Sequence, residues 1–361
     1  MFADFDAPTS FLTAGFLHLF FAGFVISIIL GALYQLASVI LNKPFFSVRG
    51  AFANMFLYFL GVASLAIGMF TEETVFLHAG ATLASFALLF FAATYLLTFA
   101  GVKAWNVSSV ALGLGGVFLA FGATLGFLLV MFASGVIELD FDIVLRYHVY
   151  FVLGFLFFVV VGSVSVLLPM FSLSHGVNFT LSKAALVLYL VAGAFAWSNY
   201  GRFVTFAALL CFGAQVFLIL VKRARKAIDY WNFNVFLALA FLAISMLAFE
   251  FGSMDFAAFS LTYGALYALI AGNLYKIASF LVWYHYVSPF VGKREVPLLE
   301  NMVIKKMAFV ASYLNIAAIV IFALGFGFAA TACMGVSAIL LGANLINIFR
   351  FIRFGVEDGQ N

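Results

Sequence analysis

Apolar windows of about 20 residues, each long enough to cross a bilayer as a helix, recur roughly eleven times along the chain: 11–41, 51–70, 75–100, 107–135, 143–170, 184–199, 201–221, 233–251, 256–280, 307–328 and 331–350. A sequence that is 66% hydrophobic and 9% charged cannot cover a water-soluble surface. The expected fold class is therefore all-α: a polytopic transmembrane bundle filling one integral-membrane domain over residues 1–361. The N-terminus, Met1-Phe2-Ala3-Asp4, lacks the basic region of a cleavable signal peptide. Cys211 and Cys333 sit inside apolar runs without metal-ligand spacing and read as packing residues.

Charge sets the expected orientation. With the N-terminus outside, the inner loops collect Lys43, Arg49, Lys103, Lys183, Lys222, Arg223, Arg225, Lys226, Lys293, Arg294, Lys305, Lys306, Arg350 and Arg353. The outer loops hold Asp4, Asp6, Glu72, Glu73, Glu138, Asp140, Asp142, Glu250 and Asp255, with Arg146 and Arg202 as their basic members. The positive-inside rule thus predicts N-out, C-in with an odd number of spans. The net charge of +3 reports topology and does not imply nucleic-acid binding. The polar segment 291–306 is expected on the inner surface, and the KRARK cluster from Lys222 reads as a topology anchor or a contact for anionic lipid.

Three of the five histidines, His18, His78 and His148, fall at one level, the outer third of the first, third and fifth spans. An ionisable group inside a bilayer is costly and marks a functional site by default; the competing reading is a neutral imidazole bonded to a neighbouring helix. Imidazole ligates heme iron, copper and zinc. Two of these histidines suffice for a bis-histidine heme of the b type, and three would hold copper or zinc with an open position. Arg146 and Tyr147 flank the mouth of the fifth span, where Arg146 is expected to pair with Glu138, Asp140 or Asp142, or else with a heme propionate. His175 and His285 lie toward the other face and read as interfacial.

Two glycines eight residues apart recur in the first, fifth and ninth spans, as Gly23 and Gly31, Gly154 and Gly162, and Gly264 and Gly272. Glycines are common where membrane helices pack closely, but four helices separate each pair from the next, which implies a four-helix unit repeated nearly three times. His18 precedes its first glycine by five residues and His148 by six, which turns the two side chains to different faces if the glycines are taken as the register.

The stretches LHLFFAGFVISIILGALYQL (17–36), RYHVYFVLGFLFFVVVGSVSVLLPMF (146–171) and YKIASFLVWYHYVSPFVGKREVPLLENM (275–302) resemble the heme-copper oxidase superfamily, specifically its subunit-I-like orphans and the related NnrS membrane proteins. The resemblance implies a pseudo-threefold ring of helices with the family's first helix missing. It gives His18 the role of the low-spin heme ligand and His148 that of a copper ligand. It also marks a departure: 184–199 has no histidine, and the outer half of the ninth span offers only Ser260, Thr262, Tyr263 and Tyr267. The expectation is a heme- or metal-binding protein of a bacterial inner membrane, serving respiratory electron transfer or heme and copper handling. It would have a redox partner subunit and no complete oxygen-reducing centre, so enzymatic activity is not expected. The expectation from a different class is a transporter or permease with a histidine-lined substrate path. No HExxH, P-loop, GxSxG or mid-membrane carboxylate points to protease, nucleotide, esterase or proton-pump chemistry.

Overall fold

The computed structural model describes residues 10–355 apart from Trp197 and Arg225. The sequence readings made at Met1–Asp4, Asp6 and Arg225 lie outside the described residues. Among the described residues, ten helices are long and apolar enough to cross a bilayer: α1 (Phe11–Leu41), α2 (Ala51–Thr71), α3 (Thr74–Thr98), α4 (Val107–Ala133), α5 (Phe141–Ser172), α7 (Asn199–Val221), α8 (Tyr230–Glu250), α9 (Met254–Phe290), α10 (Lys305–Ala323) and α11 (Gly327–Arg353), with the shorter apolar helix α6 (Thr180–Gly193) between the fifth and seventh. No β-strand occurs among the described residues. The chain is a polytopic helical membrane protein, because only helices or closed barrels satisfy their own backbone groups away from water.

Helix α6 departs from the expected span at 184–199. It begins four residues earlier, since Asn178 Oδ1 accepts from the Thr180 backbone N–H at 3.0 Å and so relieves an unpaired helix-start donor. It ends at Gly193, and its 14 residues extend only about 21 Å against a hydrocarbon core of about 30 Å. Hydropathy alone misplaced it because Thr180, Ser182 and Lys183 fall outside an apolar window yet belong to the helix.

Helix ends are closed by side chains. Ser10 Oγ accepts from the Thr13 N–H at 3.2 Å and Asp140 Oδ1 from the Ile143 N–H at 3.1 Å, capping α1 and α5. Asn106 and Ser109 form a capping box on α4. At the opposite ends basic residues donate to carbonyls: Lys43 to Ala100, Arg223 Nη1 to Leu220 at 2.9 Å and Lys226 Nζ to Val221 at 2.8 Å. Several of the lysines and arginines behind the loop-charge asymmetry thus also neutralise the negative ends of helices.

The helices form two compact units, one spanning Thr9–Lys226 and the other containing Ala227–Asn361. In the first, α2 and α3 approach so closely that a Cβ at Gly80 would lie 2.2 Å from the Leu65 backbone nitrogen and one at Gly61 2.4 Å from that of Ala84. Leu65, Met69, Leu77, Ala81 and Val130 form a core there, with Phe11 and Ala14 of α1 packed against it. The paired glycines have a packing role in two of the three helices. Cβ atoms at Gly154 and Gly162 would strike Phe118 and Leu112 of α4 at 2.3 and 2.7 Å, and at Gly264 and Gly272 would strike Phe241 and Asn234 of α8 at 2.8 Å each. In both cases the frame seats a helix against its predecessor in the chain. On α1, the first described helix, Gly23 meets nothing closer than Val62 at 3.8 Å and Gly31 nothing within 4 Å.

A second feature links α1 to α9. Each carries a π-helical stretch over its first frame glycine, Leu19–Ile26 and Ser260–Leu266. The carbonyl just before that glycine accepts from the helix that follows, Ala22 O from Tyr58 Oη of α2 at 2.8 Å and Tyr263 O from the Asn315 amide of α10. Helix α5, the middle member of the expected repeat, is α-helical throughout, so the correspondence links two of the three helices.

If close approach at α2 and α3 holds the first unit together, Gly80→Ala costs about 1–3 kcal/mol through overpacking against backbone, and Gly31→Ala leaves stability unchanged. Thermal unfolding of the detergent-solubilised protein checks this; equal melting temperatures for the two variants would contradict it.

Candidate functional site

The site lies within the first unit, where a histidine of α1 meets a histidine of α5. Each helix opens on a side-chain cap, Ser10 or Asp140, and each carries a histidine eight residues past it, His18 or His148. At about 1.5 Å per residue this sets both rings about 12 Å below their helix starts. The caps, not the glycines, supply the common register. The two imidazoles lie with ring centres 6.4 Å apart and planes inclined by 13°.

Both rings are tethered through the same atom. His18 Nδ1 meets Ala14 O, one turn earlier in α1, at 2.7 Å, and His148 Nδ1 meets Gly122 O of α4 at 2.9 Å. A carbonyl oxygen only accepts, so each Nδ1 carries the proton and each Nε2 keeps its lone pair. Neither Nε2 has a hydrogen-bond partner among the described residues. A carbonyl that fixes one nitrogen of an imidazole and leaves the lone pair of the other unused is how ligating histidines are oriented.

The surrounding backbone makes room for the pair. A Cβ at Gly126 would lie 2.8 Å from Cε1 and 3.2 Å from Nδ1 of His148, so only a bare α-carbon lets the ring rest against α4. Sequence reading overlooked Gly122 and Gly126; their spacing of four places them on one face of α4, and that was the available signal. On the other side, α1 passes straight from His18 into its π-helical stretch, whose carbonyls are held by side chains. Ser27 Oγ approaches both Gly23 O at 2.7 Å and Phe24 O at 3.0 Å. Such widened turns concentrate at functional sites.

The other expected site residues are placed differently. His78 lies near the start of α3 with its Nε2 buried and unpartnered, but among the described residues no group of three or more His, Cys, Asp or Glu side chains is arranged to hold a metal ion. The structure therefore brings together two of the three histidines, not three; Leu77 and Ala81, on either side of His78, are taken into the α2–α3 core. Arg146 is exposed and makes no ion pair among the described residues, contrary to the expected pairing with Glu138, Asp140 or Asp142, because the Asp140 carboxylate is used as the α5 cap. Two residues ahead of His148 on a helix, Arg146 also points to a different side. Tyr147 donates to Gly193 O of α6 at 3.4 Å and packs on Tyr150, which makes it a packing residue. His175 is exposed in the loop after α5, and His285 is exposed between Tyr284 and Tyr286. Cys211 and Cys333 are free and half-buried.

The donor set discriminates between cofactors. Copper or zinc held by protein takes three or four side-chain ligands, and the pair supplies two. A heme brings four nitrogens of its own and asks the protein for axial ligands. With a metal–imidazole bond of about 2 Å and about 1 Å from nitrogen to ring centre, two axial imidazoles have centres about 6 Å apart, close to the observed 6.4 Å. Two imidazole donors at this separation suit heme iron better than protein-held copper or zinc.

In comparisons with known proteins, no family model, no curated protein and no solved structure matches the chain.

The tethers predict that His18 and His148 are both Nδ1–H tautomers in the membrane at neutral pH. Solid-state NMR on 15N-histidine-labelled protein without added heme, assigned through His18→Gln and His148→Gln, reads this directly. Nε2–H tautomers at both positions would contradict the assignment.

Proposed function

We propose that the protein is a heme-binding protein of a bacterial inner membrane, holding one b-type heme between His18 and His148. The observation that carries this reading is the facing pair of carbonyl-tethered imidazoles, with separation and near-parallel planes suited to two axial ligands. Heme bound there would supply a one-electron iron couple. His18 and His148 would hold it, Ala14 O and Gly122 O would fix the planes of their rings, and Gly126 would keep the His148 side clear of a competing side chain. A two-histidine donor set fits a respiratory electron-transfer or heme-handling role.

The reading keeps a relation to heme-copper oxidase subunit I in modified form. That resemblance gave His148 to copper; here it is paired with His18 across one site, and α6 and the outer part of α9 contain no histidine. In the N-out orientation that the loop charges favour, the pair lies toward the outer face, within reach of an electron carrier or partner subunit on that side. Transport through a histidine-lined path is the reading from a different class.

Protein purified from heme-replete cells is expected to show a Soret band and a pyridine haemochrome. His18→Ala and His148→Ala should each lower heme occupancy about tenfold or more, because the axial ligands act as a unit, whereas His175→Ala and His285→Ala should retain it. A colourless preparation, or heme unaffected by loss of either member of the pair, would overturn the proposal and favour transport.

A further inference from the structure

Helix α9 does not pass directly into α10. Residues 291–304 connect them, with a 3-10 turn at Leu299–Asn301. This connection is tied to the second unit along its length. Trp283 Nε1 of α9 donates to Pro297 O at 2.9 Å, and Asn347 Nδ2 of α11 donates to Met302 O at 2.9 Å. Asn344 of α11 accepts from the Ile304 N–H at 2.9 Å and donates to Ile304 O at 3.2 Å. The Arg294 guanidinium lies 4.4 Å from the centre of the Phe290 ring and 3.9 Å from that of Phe354, whose carbonyl it also bonds. Bonds spaced along the backbone in this way fix which side chains are turned into the unit and which are turned away from it.

The result is unlike a water-facing loop. Met302 and Val303 are taken in, at 0% and 3% exposure, whereas Leu298 and Leu299 just before them are left 62% and 40% exposed and Val291 54% exposed. Tyr284 and Tyr286, in the last turns of α9, are exposed as well. Lipid is within reach of all of these residues, because α9 and α10 are spans and the connection joins their ends at one face of the bilayer. Apolar side chains left uncovered at that level are covered by the bilayer, and tyrosines collect there because one end of the ring is apolar and the other wet.

Charge identifies the lipid. Lys293 lies within the connection, Lys306 at the start of α10, and Arg350 and Arg353 at the end of α11; all four are exposed. The Asn347 and Arg294 bonds hold the end of α11 against the connection. Of the two acids in 291–304, Glu300 is paired with Lys305 at 3.1 Å, and Glu295 is exposed. Basic side chains at a membrane surface are attracted to anionic headgroups, while their stems lie along apolar surface. We propose that the connection between α9 and α10 binds anionic phospholipid, with Leu298 and Leu299 set among the upper parts of the acyl chains and Lys293, Lys306, Arg350 and Arg353 against the surrounding phosphates.

Fluorescence quenching in vesicles tests this. The full-length protein carries Leu298→Cys in a Cys211→Ala, Cys333→Ala background, is labelled with bimane and is reconstituted in mixed phosphatidylcholine and phosphatidylglycerol. The same acyl-chain nitroxide is then supplied on one lipid or the other at equal mole fraction. The phosphatidylglycerol-borne nitroxide should quench at least about twofold more strongly, and Lys293→Gln with Lys306→Gln should bring the two lipids to equality. Bimane at His175→Cys, in the exposed loop after α5, serves as the water-facing control and should respond to iodide present on both sides. Equal quenching by the two lipids before the lysines are changed would overturn the proposal. So would iodide quenching at position 298 as strong as at position 175 with no effect of either nitroxide, which would place this face against water or a protein partner. Leu298 is exposed, so the label disturbs no packed core, and the outcome is independent of whether heme is bound in the first unit.

Discussion

Every polar atom that this chain carries into the apolar layer has to find its partner inside the protein, and the structure follows from how that demand is met. Backbone groups are satisfied by forming helices. The free ends of those helices are closed by Ser10, Asp140 and the Asn106–Ser109 box at one terminus and by Lys43, Arg223 and Lys226 at the other. Buried tyrosines such as Tyr58 and Tyr95 spend their hydroxyls on carbonyls of neighbouring helices. Where the demand is met only halfway, as at the Nε2 atoms of His18 and His148, the remaining capacity is available for a ligand.

The histidine pair shows how helix packing creates chemistry. His18 is oriented by its own helix, through Ala14 O, and His148 by a neighbour, through Gly122 O. The second tether depends on close approach of α4 and α5, which Gly115, Gly122 and Gly162 permit: added Cβ atoms would come within 3.1 Å of α4 or α5 side chains at each. Glycines that act as packing devices therefore also decide which way an imidazole faces.

The fold class and most of the helices were legible in the sequence because hydropathy over 20-residue windows measures the physical requirement for spanning a bilayer directly. Helix α6 was misplaced because its polar first turn, with Asn178 bonded to the Thr180 N–H, is invisible to that measure. His18 and His148 were recognisable as candidates from depth alone. Their relation was not, because the register was counted from Gly23 and Gly154, whereas the caps Ser10 and Asp140 place both histidines at the same step. The π-helical stretches after His18 and at Ser260 left no mark in composition, and the side chains that bond their carbonyls from the next helix, Tyr58 and Asn315, are distant in sequence. Likewise, Asp140 stands directly before the apolar run, which is a cap signal, but it was read as an ion-pair partner; once it serves as the cap, Arg146 is left without an ion pair among the described residues.

The proposed function requires that His18 and His148 together hold one heme. Electron paramagnetic resonance of the oxidised protein at cryogenic temperature tests it most directly, because the signal of ferric heme reports both the number of axial imidazoles and the angle between their planes. The expected result is a low-spin rhombic spectrum of the kind given by near-parallel bis-imidazole coordination. A high-spin axial signal from heme with one protein ligand, or no heme signal in protein from heme-replete cells, would contradict it.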